Sequence, residues 1–252
     1  MTRQPTPEPS FDFTGTRVVV TGGTSGIGHA VAGAFADAGA EVVVTGTKAS
    51  AAAYDTDLDL DRFDFRSLDA GDPAAIDTFA AGLGGLDVLV NNAGAALDDE
   101  ADPDGFAASV QLNLLAAQRL STRAHGLLAA SELSGGAAVV NVASMSATRP
   151  SAFVPGYGAA KAGIIQLTRQ LGLQWAADGI RVNAVAPGLI LTGMTQIMTE
   201  VPELADGELA KVPMGRWGMP ADVAPMFLFL AGPGARFITG QTVNVDGGYS
   251  LT

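Results

Sequence analysis

Residues 17–45 read RVVVTGGTSGIGHAVAGAFADAGAEVVVT. Arg17-Val18-Val19-Val20-Thr21 is a β-branched run too short for a helix, and it enters the glycine-rich turn Gly22-Gly23-Thr24-Ser25-Gly26-Ile27-Gly28. Apolar residues then recur at Val31, Phe35 and Ala38 ahead of Gly39, the pattern of a helix closed by glycine. Glu41-Val42-Val43-Val44-Thr45 supplies a second strand. Strand, helix and strand within about 30 residues form a βαβ unit, with parallel strands and a right-handed crossover.

Working outward, residues 1–12 hold three prolines and few apolar side chains, which predicts a flexible or loosely docked tail. Residues 47–69 are irregular and support a shortened helix at most. A third strand is expected over 61–65, and a turn over 69–73 opens a helix through Phe79. Further strands are expected at 86–90, 137–142, 180–185 and 241–245. One long helix over 104–130 and others over 157–177 and 220–230 separate them. Six or seven strands alternating with helices predict an α/β fold: a single Rossmann-like, doubly wound domain over 13–252 with a parallel sheet.

The 252 residues, 48% of them hydrophobic and 16% charged, can bury a large core. Fourteen basic and 26 acidic side chains give a formal charge of −12, which argues against nucleic acid and anionic membranes as partners. The absence of cysteine removes disulfides, thiolate nucleophiles and zinc-thiolate sites. His29 and His125 lack partners at ligand spacing, so no metal site is expected. The N-terminal residues lack the apolar stretch of a secretion signal, and no segment has the roughly 18 apolar residues of a membrane span, so a cytoplasmic protein is expected.

The glycine loop leaves a strand and opens a helix, so bare backbone at Gly22, Thr24, Ser25, Gly26, Ile27 and Gly28 can approach a pyrophosphate in front of helix N–H groups. That is a dinucleotide site. Gly46-Thr47-Lys48 stands where a carboxylate would select NAD, so NADP(H) is preferred and NAD(H) remains open; Lys48 is also readable as a plain surface residue. Tyr157 and Lys161, four apart, share one helix face. A cation ~4 Å from a phenol at an effective dielectric of ~20 contributes about 4 kcal/mol, roughly three pKa units toward the phenolate.

Together TGGTSGIG, NNAG, Asn113, Ser144, YGAAK and Pro187-Gly188 resemble the short-chain dehydrogenase/reductase family over nearly the whole chain after the tail. The resemblance implies a nicotinamide cofactor and interconversion of a carbonyl and an alcohol. It makes Asn113, Ser144, Tyr157 and Lys161 the catalytic tetrad. Tyr157 is then the proton donor or base, Lys161 lowers its pKa and holds ribose hydroxyls, Ser144 bonds the carbonyl oxygen, and Asn113 holds a water. It makes Asp69, with Ala70 beside it, an adenine contact. Asn91 and its neighbours Asn92, Ala93 and Gly94 become supports for sheet and cofactor. Pro187, Gly188, Ile190 and Thr192 form a turn over the nicotinamide.

Ala95, Ala96, Met145, Phe153, Val154 and Leu189 are expected to line a mainly apolar substrate pocket, with residues 189–212 as a lid; its methionines could equally be core filler. Many relatives reduce 3-oxoacyl groups on an acidic carrier protein, but the stretches often basic in them read ASELSGG and WAADG here, which favours a small neutral substrate. A carrier-thioester reductase and a non-catalytic dinucleotide-binding regulator stand as alternatives. The family resemblance further implies a homotetramer built through the helices at 104–130 and 157–177 and through the last strand.

Overall fold

The computed structural model describes residues 11–54 and 58–252. Seven strands form one parallel sheet in the order β3-β2-β1-β4-β5-β6-β7. The strands are β1 Arg17–Val20, β2 Glu41–Gly46, β3 Asp64–Ser67, β4 Val88–Asn91, β5 Ala137–Val142, β6 Ile180–Pro187 and β7 Thr242–Val245. The order reverses between β1 and β4, and at such a switch point the carboxyl ends of the strands leave a crevice. The opening stretch thus lies at the centre of the fold, with Val19 registered against Val43 on one side and Leu89 on the other.

The helices are α1 Gly26–Asp37, α2 Pro73–Ala81, α3 Pro103–Val110, α4 Ala116–Ala129, α5 Pro155–Trp175, α6 Gln196–Thr199, α7 Pro202–Leu209 and α8 Pro220–Ala231. One sheet face and the helices α1 and α8 bury Val31, Phe35, Val223 and Phe227; the other packs Ile76, Leu120, Leu128, Leu171 and Trp175. Val18, Val20, Val88, Val90 and Val140 are at most 1% exposed, as expected for strands covered on both faces.

Three expectations need correction. The third strand begins at Asp64 rather than residue 61, because residues 58–63 form a bend and turn that bury Leu60 and Phe63 before the strand pairs with β2. The long helix is interrupted by a five-residue π-helical turn, Gln111–Leu115, between α3 and α4. Strand β6 runs on to Pro187, held by pairing of Ala186 and Pro187 with Asn244 and Val245. Of the expected tail, residues 1–10 lie outside the described residues, whereas Phe11 packs against the core and Asp12 accepts a hydrogen bond from the Thr14 N–H.

A buried guanidinium ties β6 to the sheet's outer layer. Arg181 donates to Gly135 O at 2.9 Å, to Ala231 O at 2.8 Å and to Leu230 O, so it satisfies the carbonyls that end α8.

Candidate active site

The glycine loop is built for close approach. Gly22 and Gly26 have φ of 64° and 53°, in the region that disfavours side chains. A Cβ on Gly28 would collide with Gly22 O and Asn92 Nδ2. Asn92 secures the loop from the neighbouring strand: its amide donates to Thr21 O at 2.9 Å and Gly22 O at 3.0 Å, while Thr21 Oγ1 accepts from the Asn92 and Ala93 N–H groups. The Asn92 side chain therefore orders the cradle, leaving the backbone of 92–94 to line it. Gly26 faces Thr192 across the crevice, where an added Cβ would meet Thr192 Cγ2 at 3.2 Å. These bare-backbone surfaces at a helix N-terminus fit a dinucleotide pyrophosphate.

Thr47 and Lys48 lie exposed at the end of β2. Lys48 Nζ donates to Ala53 O at 2.8 Å and sits 4.8 Å from the Tyr54 ring centroid, and the Tyr54 hydroxyl accepts from the Lys48 N–H. Tyr54 also crowds Gly46. Sequence reading passed over Tyr54 because it opens an acidic, irregular stretch without periodicity. Asp69 is exposed and its carboxylate accepts from the Gly71 N–H, with Ala70 buried beneath it. The Ile190 side chain turns into the main core at 4% exposure.

The proposed tetrad converges where β4, β5 and α5 meet. Lys161 is 3% exposed and donates to Val142 O at 2.8 Å, with Nζ 5.4 Å from the centroid of the Tyr157 ring. Burial alone brings the Lys161 ammonium down to about 8. The Tyr157 phenol departs from expectation. Burial raises it above its ordinary value, the Ser144 hydrogen bond opposes this, and the Glu100 charge adds to the rise. Desolvation, with the Glu100 charge, thus outweighs the Ser144 hydrogen bond.

Asn113 is buried, at 2% exposure. Its amide accepts from the Ala95 N–H at 3.1 Å and donates to Ala95 O at 2.8 Å and to Ser109 O at 3.0 Å. The side-chain amide is thus used as a strut between the 94–95 backbone and α3. The bond to Ser109 O takes the place of a helical i→i−4 partner, which accounts for the π-helical widening around it. Gly94 lies against both Asn113 Oδ1 and Lys161 Nζ. Behind them Asn91 donates to Ser121 and Asn141, and Asn141 to Thr168, stitching β4 and β5 to the flanking helices.

On the substrate side, Ala95, Met145 and Val154 are half-buried, whereas Phe153 is 88% exposed. Leu189 is corrected from pocket wall to core: it is 4% exposed and closed into a cluster with Val212 and Tyr249, against which Met145, Met198, Leu209 and Trp217 pack. Arg149, the one cation expected here, donates to Tyr249 O and Thr252 Oγ1 and covers the Tyr249 ring at 4.6 Å. Among the described residues no group of three or more His, Asp or Glu could hold a metal ion, and no helix is long and apolar enough to cross a membrane.

Residues 22–250 match the family model described as "Enoyl-(Acyl carrier protein) reductase". The chain is 37% identical over 253 residues to galactitol 2-dehydrogenase (L-tagatose-forming) of Cereibacter sphaeroides, covering 96% of this chain and 97% of that one. The chain belongs to the short-chain dehydrogenase/reductase family. A 3-oxoacyl-(acyl-carrier-protein) reductase FabG of Vibrio cholerae is 35% identical, covering 94% of this chain and 98% of that one. Among solved structures, the gluconate 5-dehydrogenase of Burkholderia cenocepacia J2315 in complex with NADP and tartrate superposes with a TM-score of 0.85 at 29% identity, covering 96% and 98% of the two chains. The chain is an NAD(P)-dependent oxidoreductase acting on alcohol or carbonyl groups.

Proposed function

We propose that the enzyme interconverts a small, uncharged secondary alcohol, such as a polyol or hydroxyketone, and the corresponding ketone, with NADP(H) preferred. The observation that carries this reading is the convergence of Ser144, Tyr157 and Lys161 beside the glycine loop, with Arg149 committed elsewhere. The bound nicotinamide supplies or accepts hydride. Tyr157 gives its phenolic proton to the carbonyl oxygen in reduction and recovers it in oxidation. Ser144 donates to the same oxygen and orients it. Lys161, charged below about pH 8, stabilises the phenolate as it forms. Asn113 fixes the 94–95 backbone against which Lys161 lies.

Several observations favour a neutral substrate. Arg149 is spent on the C-terminal segment, and exposed Asp98, Asp99, Asp102 and Asp104 flank the approach to α5. An acidic carrier protein would meet Glu132 and the Asp178 carboxylate that pairs with His125, where a basic dock would be needed. The galactitol enzyme among the relatives acts on an uncharged polyol by its name. Lys48, held by Tyr54 at the end of β2, supports the preference for a 2′-phosphate. Residues 189–212 act as the lid, the residues at 13–252 as one domain, and a cytoplasmic homotetramer is the assembly in which we place them. Exposed Leu115 on the π-turn and Leu173 on α5 supply apolar surface for it.

A spectrophotometric screen of NADPH and NADH oxidation against ketoses, simple ketones and 3-oxoacyl thioesters, with the reverse reaction on polyols, tests this. Free neutral substrates should turn over with NADPH favoured; a carrier thioester outperforming all of them would overturn it. Tyr157→Phe should lower kcat by roughly 10²- to 10⁴-fold while leaving NADPH binding intact. Full turnover in that variant would remove Tyr157 from the mechanism.

A further inference from the structure

Residues 98–104 carry five carboxylates, Asp98, Asp99, Glu100, Asp102 and Asp104, and only Glu100 is buried, at 2% exposure. Asp99 has a φ of 56°, a left-handed conformation that reverses the chain just ahead of it. Every bond Glu100 makes leads toward the tetrad. Oε1 accepts from the Leu97 N–H and the Ser109 hydroxyl, both at 2.9 Å, and Oε2 accepts from the Tyr157 N–H at 2.8 Å. Ser109 in turn accepts from Asn113 through O and Oγ.

The carboxylate also completes a helix that cannot cap itself. Helix α5 begins with Val154 at its N-cap, which has no side-chain acceptor, and Pro155, which has no N–H. The Tyr157 N–H would otherwise be an orphan donor. A carboxylate at the positive end of a 21-residue helix is favoured electrostatically as well. Gly156 leaves the room: a Cβ there would meet Ser109 Cβ at 2.9 Å and Glu100 Oε2 at 3.3 Å.

We propose that Glu100 is a positioning residue for the acid/base step: it fixes the backbone of Tyr157 to the 94–97 loop and, through Ser109, to Asn113. The inference rests on the proposed function for its kinetic reading, and has a separate spectroscopic one. Besides placing the phenol, the Glu100 charge opposes phenolate formation and the Ser144 hydrogen bond favours it, while Lys161 Nζ lies 5.4 Å from the ring centroid and the exposed aspartates 98, 99, 102 and 104 are screened by solvent. Lys161 works for the phenolate and Glu100 against it, so removing the Glu100 charge moves the phenol toward lower pKa while loosening its placement.

The test is Glu100→Gln, which keeps the side-chain length but turns one acceptor into a donor facing a backbone N–H. Expected is a fall in kcat of about tenfold or more with NADPH Kd changed less than twofold, because the pyrophosphate cradle is untouched. In ¹³Cζ-tyrosine NMR, Tyr157 should titrate at lower pH than in the wild type; the chain has only three tyrosines, so its resonance is assignable with Tyr157→Phe. A kcat within twofold of wild type overturns the proposal whatever happens to Tm. Should Glu100→Gln not fold, Ser109→Ala removes the hydroxyl bonded to Glu100 Oε1 and Asn113 Nδ2 while keeping the bond to the Tyr157 N–H, and should lower kcat about threefold; no change there overturns the proposal equally. If the wild type binds NADPH but turns over no carbonyl or alcohol, the functional reading fails, and an unmoved Tyr157 titration would then overturn the role of Glu100 by itself.

Discussion

The two walls of the crevice are built differently. On the cofactor side, around β1, β4 and the glycine loop, bare backbone is locked by hydrogen bonds that the Thr21 hydroxyl accepts and the Asn92 amide donates, and added atoms have nowhere to go. On the substrate side, Phe153, Met194, Met214 and Met219 are 88%, 47%, 66% and 48% exposed, and α6 and α7 are short helices attached by few side chains. Close packing makes the first wall intolerant of change, whereas loosely held apolar side chains can be exchanged at little cost in stability. On the proposed reading, chemistry common to the family belongs to the rigid wall and choice of substrate to the loose one.

The contrast is broken most directly at Gly28. Gly28→Ala forces a methyl against Gly22 O and Asn92 Nδ2, and should cost about 1–3 kcal/mol of stability together with ~100-fold in NADPH affinity, near 3 kcal/mol. Calorimetric titration and thermal melting check both; wild-type affinity would mean the cradle is less rigid than its contacts imply.

Lys161 offers a sharper probe, since a residue placed for chemistry should tax stability. Its folded value of about 8 lies below the ordinary 10.5, so the penalty for burying the ammonium is complete below pH 8 and is lifted as pH rises from about 8 to 10.5. The full penalty is roughly 3 kcal/mol. Lys161→Met removes it but deprives Val142 O of its donor, at about 1 kcal/mol. The apo variant, though inactive, should therefore be more stable than wild type at pH 7 by about 2 kcal/mol, with the gap closing above pH 8 in denaturant melts. A variant less stable at every pH would refute this account.

Effects should shrink toward the proposed lid. The Tyr249 hydroxyl donates to Glu208 at 2.6 Å and joins α7 to the C-terminal segment, so Tyr249→Phe should cost about 1–2 kcal/mol and raise protease sensitivity within 196–212. Phe153→Ala should alter stability by less than about 0.5 kcal/mol yet shift KM among substrates severalfold, with kcat for a small ketone unchanged. Uniform loss of kcat on all substrates would place Phe153 with the chemistry instead.

The sheet was legible in the sequence because parallel, doubly covered strands are written as unbroken apolar runs, as in Val18 to Val20 and Val42 to Val44. The start of β3 was misplaced because Asp61-Arg62-Phe63-Asp64-Phe65 alternates polar and apolar side chains like a strand, whereas the chain spends residues 58–63 on a bend and turn burying Leu60 and Phe63. In the site, residue types could be recognised but not their partners. Asn113 was identified, yet its bonds to Ala95 and Ser109 depend on a widened turn with no periodic signature. Glu100 was hidden among four exposed acids, and Asn92 donates to a glycine loop some seventy residues earlier. The sign of the Tyr157 shift was missed because a pairwise attraction between two charges omits the cost of drying both.

The turn Gln111–Leu115 has a consequence for the phase of the helix. A π-helical turn is an α-helix carrying one surplus residue, so the segments before and after it keep the angular register they would have without that residue. Deleting one residue of this turn would close the widening and leave Ala116, Leu120, Ala124 and Leu128 buried along the same stripe of α4. The same deletion one turn further on would rotate that stripe by about 100° out of the core. The residue that the fold can best do without is therefore among those the site can least spare.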